Sequence, residues 1–142
     1  MIAVDTNVLV YAHRTEMAQH DAARAALRDL AEGDEPFAVP AFVATEFLRV
    51  VTHPRMFRPP SSMTVARSDL DAVLDSPAAR LLLPGPRHRT LLADAIDEGG
   101  ATGNLVFDAA IVATCREHGV TRILTNDLDF RRFPSVEVVS LS

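Results

Sequence analysis

Lysine and tryptophan are absent from the 142 residues of this chain, and cysteine occurs once, at position 115. A lone cysteine excludes an internal disulfide framework and is typical of a reducing compartment such as the cytoplasm. The absence of lysine excludes a Walker A loop, whose lysine must reach the phosphates. No apolar run approaches the roughly 20 residues of a membrane span, and no basic segment precedes the first apolar residues as in a signal peptide. We therefore expect a cytoplasmic protein without a membrane segment.

Hydrophobic residues make up 48% of the chain and charged residues 23%, a balance typical of a globular protein. The length suits one domain with a substantial core, and we expect that domain to cover residues 1–142. All fourteen basic residues are arginine, yet the net charge is −5. This charge argues against binding nucleic acid through a broad basic surface. It leaves open a site at which carboxylates hold metal ions and the metal ions hold phosphates.

Short apolar runs alternate with amphipathic stretches along the chain, a pattern typical of a parallel sheet with helices on both faces. Between Thr52 and Ser62 the chain contains three prolines and two arginines, which predicts a loop that can be mobile. The predicted strands cover residues 1–4, 37–39, 81–83, 122–125 and 136–139. The predicted helices cover residues 7–13, 17–32, a stretch from Pro40 through Val51, and residues 64–76, 87–98 and 104–118.

Asp5 follows the first apolar run directly and is followed by two small polar residues. Open α/β sheets bind ligands beyond the carboxyl ends of their strands, so we predict that Asp5 lies at the floor of an active site. A plainer alternative is that Asp5 caps a helix, although Thr6 or Asn7 can also serve as that cap.

Three further acids occupy unusual places. Glu46 lies on the apolar stripe of its predicted helix, Asp108 interrupts an otherwise apolar run, and Asp127 follows a predicted strand. Charged residues in such places are rarely fully buried unless they are paired or bind metal. The alternatives are an ion pair between Glu46 and Arg49, a helix-dipole or arginine partner for Asp108, and a turn role for Asp127.

Nothing near these four acids in the sequence supplies matching cations. Two carboxylates about 4 Å apart repel by roughly 1 kcal/mol in water and about 4 kcal/mol at an effective dielectric of 20. A cluster of four must therefore raise its pKa values or recruit a divalent cation. Oxygen ligands without clustered histidine or cysteine favour Mg²⁺ or Mn²⁺, ions that can activate water for attack on a phosphodiester.

The four acids stand in motifs that resemble those of the PIN-domain ribonucleases, and their order and spacing are most similar to the VapC toxins of type II toxin–antitoxin pairs. The resemblance extends from Ile2 to about Val139, and the four motifs in order are more specific than any one alone. The motifs are Val4-Asp5-Thr6-Asn7, Thr45-Glu46-Phe47, Phe107-Asp108-Ala109 and Thr125-Asn126-Asp127-Leu128-Asp129-Phe130.

The resemblance implies a sheet of strand order 3-2-1-4-5 and a Mg²⁺-dependent endoribonuclease, with Mn²⁺ as a substitute and transfer RNA as a plausible substrate. It implies that Asp5, Glu46, Asp108 and Asp127 are the catalytic and metal-binding acids. Asp5, Asp108 and Asp127 would hold one metal ion, and Glu46 and Asp108 would reach a second.

The resemblance also suggests auxiliary groups and partners. The hydroxyls of Thr6 and Thr125 would orient a metal-bound water, and Asp129 is an additional candidate acid. The implied partners are a cognate antitoxin, which places a basic side chain in the acidic pocket, an RNA substrate and a second copy of the chain. The arginines that are candidates for contact with RNA phosphates, each with a surface ion pair as the alternative, are Arg49, Arg55, Arg58, Arg87 and Arg89.

Two other functions are compatible with part of the pattern. A Mg²⁺-dependent phosphatase with Asp5 as nucleophile would need a second aspartate where Asn7 stands, and usually a lysine. A binding module without catalytic activity could use the acid cluster to hold a basic peptide. The five histidines are scattered, and no Ser-His-Asp order is recognisable in the sequence.

Overall fold

The computed structural model of this chain describes residues 1–141, and five strands and six helices alternate along them. The predicted domain end at residue 142 lies outside the described residues. The strands are β1 (Ile2–Val4), β2 (Phe37–Pro40), β3 (Ala79–Leu82), β4 (Arg122–Leu124) and β5 (Glu137–Val139). The helices are α1 (Thr6–His13), α2 (His20–Glu32), α3 (Ala41–Val51), α4 (Met63–Leu74), α5 (His88–Gly99) and α6 (Leu105–Glu117). A short 3₁₀ helix covers Leu128–Arg132.

The strands form one parallel sheet in the order β3-β2-β1-β4-β5, which confirms the predicted order. The central strand β1 pairs with β2 through Ala3 and Ala38, and with β4 through Ala3 and Ile123. Every residue of β1 and β2 is buried. Strands buried on both faces explain why these runs are continuously apolar rather than alternating.

The helices divide into two groups. Helices α1 to α4 carry the chain outward from β1 to the edge strand β3 and pack against one another. Helices α5 and α6 pack together and carry the chain from β3 back across the sheet to β4. Crossovers between parallel strands are right-handed. Because the chain moves across the sheet in the opposite direction after β3, helices α5 and α6 lie on the face of the sheet opposite to helices α1 to α4. The order also changes direction between β1 and β4, which is where open α/β sheets bind ligands.

The core lies between the sheet and both helix groups. Val8, Val43 and Phe47 pack from α1 and α3, and Ile111 and Cys115 from α6. Cys115 is fully buried, and its burial raises the pKa of the thiol to about 12. None of the helices within residues 1–141 is both long enough and apolar enough to cross a bilayer.

Most element bounds differ from prediction by one or two residues, and the start of α2 differs by three. Helix α2 begins at His20 rather than at residue 17, because turns occupy the residues between Arg14 and His20. Strand β3 begins at Ala79 and includes Arg80, both of which we predicted to precede it. Arg80 is exposed, which an edge strand tolerates and a purely apolar pattern does not predict.

The segment from residue 52 to residue 62 is a loop, as predicted, and Arg14 fastens it to the end of α1. The Arg14 guanidinium donates to the Ser61 hydroxyl and to the Pro59 carbonyl, each at 3.0 Å. It also lies 4.4 Å from the centre of the Phe57 ring. The predicted mobility of this loop is therefore opposed by three contacts from one side chain.

Candidate active site

Two neighbouring strand ends bring Asp5 and Asp127 to the same edge of the sheet. Val4 and Leu124 are opposite each other in β1 and β4, and the backbone N–H of Asp5 donates to the Leu124 carbonyl at 3.0 Å. Asp5 directly follows β1, and Asp127 lies three positions beyond the end of β4. Both acids therefore lie beyond the carboxyl ends of the central strands.

The Thr125 side chain connects these two acids. Its hydroxyl donates to Oδ2 of Asp5 at 2.7 Å and accepts from the backbone N–H of Asp127 at 2.9 Å. It also accepts from the side-chain amide of Asn7 at 3.1 Å. Thr125 is fully buried, so its hydroxyl has exchanged water for these three fixed partners. The sequence predicted Thr125 as a group that orients water, but its proton is already directed at Asp5.

Asp5 is buried and also caps α1. Its Oδ1 accepts from the backbone N–H of Thr6 at 2.7 Å, so the cap is Asp5 rather than Thr6 or Asn7 as we had also considered. Burial raises the pKa of Asp5 to about 6, although the hydrogen bonds from Thr125 and Thr6 lower it. The negative charges of Asp127 and Glu46 raise this pKa further. Capping and membership of an acid cluster are therefore compatible at this position.

Asp108 lies in the first turn of α6 and is half-buried. Burial is the largest cause that raises its pKa, to about 7, and the carboxylates of Asp127, Asp5, Asp129 and Glu46 add to it in that order. A charge acts on another through a distance-dependent field, so these contributions indicate that all five acids converge. The structure thus brings the four predicted acids together and adds Asp129.

Asp129 belongs to the tightest group within this cluster. One carboxylate oxygen from each of Asp108, Asp127 and Asp129 lies within 4.8 Å of the other two. Asp129 is exposed, and its backbone N–H donates to Oδ1 of Asp127 at 2.9 Å. The turn considered for Asp127 is therefore present, and the carboxylates of both Asp127 and Asp129 lie near that of Asp108. The motif match favoured Asp127, whereas the geometry includes both acids.

We call this cluster the acid edge, and no basic side chain within residues 1–141 forms an ion pair with it. The alternative that Arg49 neutralises Glu46 is therefore not supported. The five arginines proposed for phosphate contacts are all exposed and form no ion pair within the same residues. The acid edge consists of Asp5, Glu46, Asp108, Asp127 and Asp129.

The residues at the acid edge fit a divalent cation. All five offer carboxylate oxygens, the ligands that Mg²⁺ and Mn²⁺ prefer, and no histidine or cysteine belongs to the tightest group. Next to Asp5, the hydroxyl of Thr6 is buried and has no hydrogen-bond partner within residues 1–141. A buried hydroxyl without a partner carries a desolvation cost that a water or cation ligand would remove. Thr6 is thus the better placed of the two predicted hydroxyls.

A second polar cluster, which the sequence did not predict, lies at the other end of α1. His13 places Nδ1 2.5 Å from Oδ2 of Asp69 and Nε2 2.7 Å from the Ser61 hydroxyl. The same hydroxyl accepts from Arg14. We call these four residues the His13 corner. Ser61, His13 and Asp69 therefore meet in space although no Ser-His-Asp order is recognisable in the sequence, and their contacts join α1, the loop and α4.

A cavity of about 570 Å³ lies beside the His13 corner. His13, Asp69 and Phe47 line it, whereas Ser61 and all members of the acid edge lie outside its lining. A serine nucleophile would have to face the space that a substrate occupies. The His13 corner therefore serves to connect elements rather than to open a second reaction site.

Comparison with known proteins gives consistent results. The family model described as PIN domain matches residues 2–136. VapC ribonuclease Mb2897 from Mycobacterium bovis is 41% identical over 133 residues, which cover 94% of this chain and 90% of that protein. The range that the family model matches includes all five members of the acid edge.

Solved structures with the same fold include VapC20 from Mycobacterium tuberculosis, described as a sarcin–ricin loop cleaving toxin. It has a TM-score of 0.68 and 17% identity, covering 92% of this chain and 93% of that one. A toxin–antitoxin complex from Klebsiella pneumoniae has a TM-score of 0.67 and 17% identity, covering 100% of this chain and 98% of that one. At these identities the structural likeness bears on the fold alone.

Proposed function

The chain belongs to the PIN-domain family and, within it, to the VapC ribonucleases, and from this premise we propose that it is a Mg²⁺-dependent endoribonuclease and the toxin of a toxin–antitoxin pair. The observation that carries the proposal is the acid edge itself. Five carboxylates converge beyond the ends of β1 and β4 without a basic partner in residues 1–141. Such a cluster is costly to maintain unless it binds cations.

Asp5, Asp108 and Asp127 would hold one divalent cation, and Glu46 and Asp108 would reach a second. The position of Asp129 adds it to the first group as a further ligand. When bound, the cation supplies positive charge at the phosphodiester and lowers the pKa of water. Mn²⁺ would substitute for Mg²⁺ because both ions accept the same oxygen ligands.

The chain prepares this site before any ligand binds. Three hydrogen bonds fix the Asp5 carboxylate, from Thr6, Asn7 and Thr125. The Thr125 hydroxyl also fixes the Asp127 backbone, so the two acids cannot separate without breaking one shared network. Carboxylates that are already fixed would need little reorganisation to hold a cation in the position that the reaction requires.

The proposed partners follow from charge. The uncompensated acid edge would accept a basic side chain of a cognate antitoxin, which would block metal and RNA together. The toxin–antitoxin complex among the structural neighbours is consistent with such a partner. The substrate is RNA, with transfer RNA and ribosomal RNA as the first candidates, and the exposed arginines would hold its phosphates. We also propose a homodimer.

The first test is incubation of the pure chain with total transfer RNA and ribosomal RNA in Mg²⁺, in Mn²⁺ and in EDTA. We expect discrete fragments with either metal and none with EDTA, and loss of cutting in Asp5→Asn. Equal cutting by Asp5→Asn would remove the acid edge from the mechanism. Absence of cutting with every metal, from a preparation free of antitoxin, would favour a binding module whose acid edge holds a basic peptide.

A further inference from the structure

Phe107 is an aromatic side chain that remains exposed to solvent. The chain has seven phenylalanines and one tyrosine, all within the described residues, and only Phe107 is exposed, with 50% of its surface open to solvent. Its ring stacks on that of Phe42, with centroids 5.2 Å apart and planes 23° from parallel. The pair is therefore an aromatic stack whose exposed member is Phe107.

The two rings belong to the two helices that carry Glu46 and Asp108 of the acid edge. Phe107 immediately precedes Asp108 in the first turn of α6. Phe42 lies four residues before Glu46 in α3, a spacing that places two side chains next to each other on one helix face. The stack thus bridges the beginnings of two helices that each contribute an acid. A group resting on Phe107 would lie next to whatever occupies the acid edge.

The chemistry of the surroundings favours a nucleobase as that group. The chain carries a net charge of −5, and the helices of the two rings also carry the acids Glu46 and Asp108, so the phosphates of RNA are repelled wherever no cation intervenes. Stacking of a base on an aromatic ring does not depend on charge and contributes affinity for any base. A base can stack on a protein ring only when it is not stacked within a duplex.

The patch is too small for a stable protein interface. Specific protein–protein interfaces bury on the order of 800 Å² on each partner, more than one half-exposed ring and a neighbouring leucine can offer. That leucine, Leu128, is 58% exposed and lies between Asp127 and Asp129. Charged carboxylates on both sides of it disfavour an apolar protein partner, because their desolvation would be uncompensated.

We propose that Phe107, supported from behind by Phe42, is the stacking platform for an unpaired nucleobase next to the phosphate at which the RNA is cut. This inference depends on the ribonuclease activity proposed above and specifies its substrate class as an unpaired segment. Phe107 positions the RNA, and the acids of the acid edge carry out the chemistry. Phe42 holds the platform ring and does not itself touch the RNA.

The test compares single-turnover cleavage of total transfer RNA by wild type and by variants at position 107, over a range of protein concentrations. For Phe107→Ala we expect the half-saturating concentration to rise on the order of tenfold, with little change in the limiting rate. Phe107→Tyr should retain wild-type behaviour because it keeps the ring. Phe107→Leu should resemble Phe107→Ala because it keeps only apolar volume.

Met63→Ala is the matched control. Met63 is 47% exposed, comparable to Phe107, but it begins α4 beside the His13 corner. Its removal should leave the half-saturating concentration unchanged. Circular dichroism and light scattering on every variant establish folding and oligomeric state. A Phe107→Leu variant equal to wild type, or a Phe107→Ala variant whose only change is its oligomeric state, would overturn the proposal.

A binding measurement separates this inference from the proposed activity. A fluorescently labelled single-stranded RNA 12-mer is titrated in Mg²⁺, followed by anisotropy, and compared with the same 12-mer in a duplex, with Asp5→Asn present in both proteins so that the RNA is not cut. If wild type cuts no RNA, the activity proposal fails. Weaker binding of the single strand by Phe107→Ala would still support the platform, and equal binding by both proteins would overturn it. A preference for the duplex would overturn it as well.

Discussion

The two ends of helix α1 carry opposite kinds of polar cluster. At its beginning, the acid edge collects five carboxylates with no basic partner in residues 1–141. At its end, about 12 Å away for eight residues, His13 and Arg14 share Ser61 and contact Asp69 and Phe57. The His13 corner satisfies its polar groups and connects three segments, whereas the acid edge leaves like charges together. The contacts of the His13 corner therefore stabilise the fold, whereas the like charges of the acid edge favour the binding of a cation.

The strongest test of this contrast is removal of one charge from the acid edge. Asp108→Asn should lower RNA cleavage by at least about 100-fold, the loss typical of removing one group that stabilises charge at a reacting centre. The metal-free variant should be as stable as wild type or more stable at pH 8, because a buried charge and its repulsions disappear. Rates of RNA cleavage and urea denaturation measure the two effects.

Asp94→Asn is the matched control for this variant, since Asp94 is exposed on α5 and belongs to neither cluster. It should leave both cleavage and stability unchanged. An Asp108→Asn protein that is clearly less stable than wild type would mean that the acid edge contributes to folding, contrary to the contrast drawn here.

The reverse experiment removes the cation at the His13 corner. Arg14→Ala should lower the free energy of unfolding by about 1–3 kcal/mol, because the Ser61 and Pro59 acceptors and the Phe57 ring lose their partner. Cleavage per folded molecule should remain unchanged. Arg67→Ala, at an exposed position of α4, removes the same charge and should alter stability by no more than about 0.5 kcal/mol. Equal effects of the two substitutions in urea denaturation would contradict a specific role for Arg14.

A smaller and more selective change is Thr125→Val, which keeps the shape and removes the hydroxyl. The hydrogen bond from Thr125 lowers the pKa of Asp5, so its loss should raise that pKa further above its ordinary range. The acidic limb of the cleavage pH profile should therefore move upward, by about one unit for a lost hydrogen bond to a charged group. Thr125→Ser retains the hydroxyl and should restore the profile. A shift toward lower pH would refute the role given to this bond.

The smallest expected effect is the pH dependence of stability. Asp5 and Asp108 have folded-state pKa values of about 6 and about 7, above the ordinary value of 3.8. Between about pH 4 and pH 7 the folded chain therefore binds more protons than the unfolded chain, and these two groups make the metal-free protein less stable as pH rises. Mg²⁺ binds the ionised form, so the rise in Tm that it causes should be larger at pH 8 than at pH 5.

Thermal unfolding with Mg²⁺ and with EDTA measures this difference, expected to be a few degrees. Asp108→Asn should show a weaker pH dependence in EDTA and a smaller response to Mg²⁺. Glu16, Glu35 and Glu117 act in the opposite sense, because local hydrogen bonds lower their pKa values. Their contribution to stability changes only below about pH 4.5, so it does not mask the effect of Asp5 and Asp108 at higher pH. A Mg²⁺ response equal at both pH values would contradict the assignment.

Much of the fold could be predicted from local sequence. Continuous apolar runs predicted the buried central strands β1 and β2, and the spacing of apolar residues predicted the helices. Prediction was least accurate for β3, where Arg80 stands in an edge strand that only its neighbour β2 defines. The start of α2 was also misplaced, because turns after Arg14 interrupt a pattern that continues in the sequence.

The candidate site was predictable for a related reason. Glu46 and Asp108 interrupt apolar patterns, and Asp5 and Asp127 follow predicted strands, so each is visible locally. Asp129 was only an additional candidate, because the motif match favoured Asp127. The hydrogen bonds that Thr125 makes with both acids could not be predicted locally, because Thr125 is 120 positions away from Asp5 in the sequence.

The sequence by itself determined the order of strands and helices and the identity of the acids, because hydrophobic periodicity and misplaced charge are local properties. Only the tertiary structure decided that Asp129 completes the tightest acid group, that Phe107 is left exposed against Phe42, and that His13 meets Ser61 and Asp69. Those last contacts join residues 48 and 56 positions apart. No local pattern predicts contacts between residues so far apart in the sequence, since these contacts form only when packing of the sheet and helices brings separate segments together.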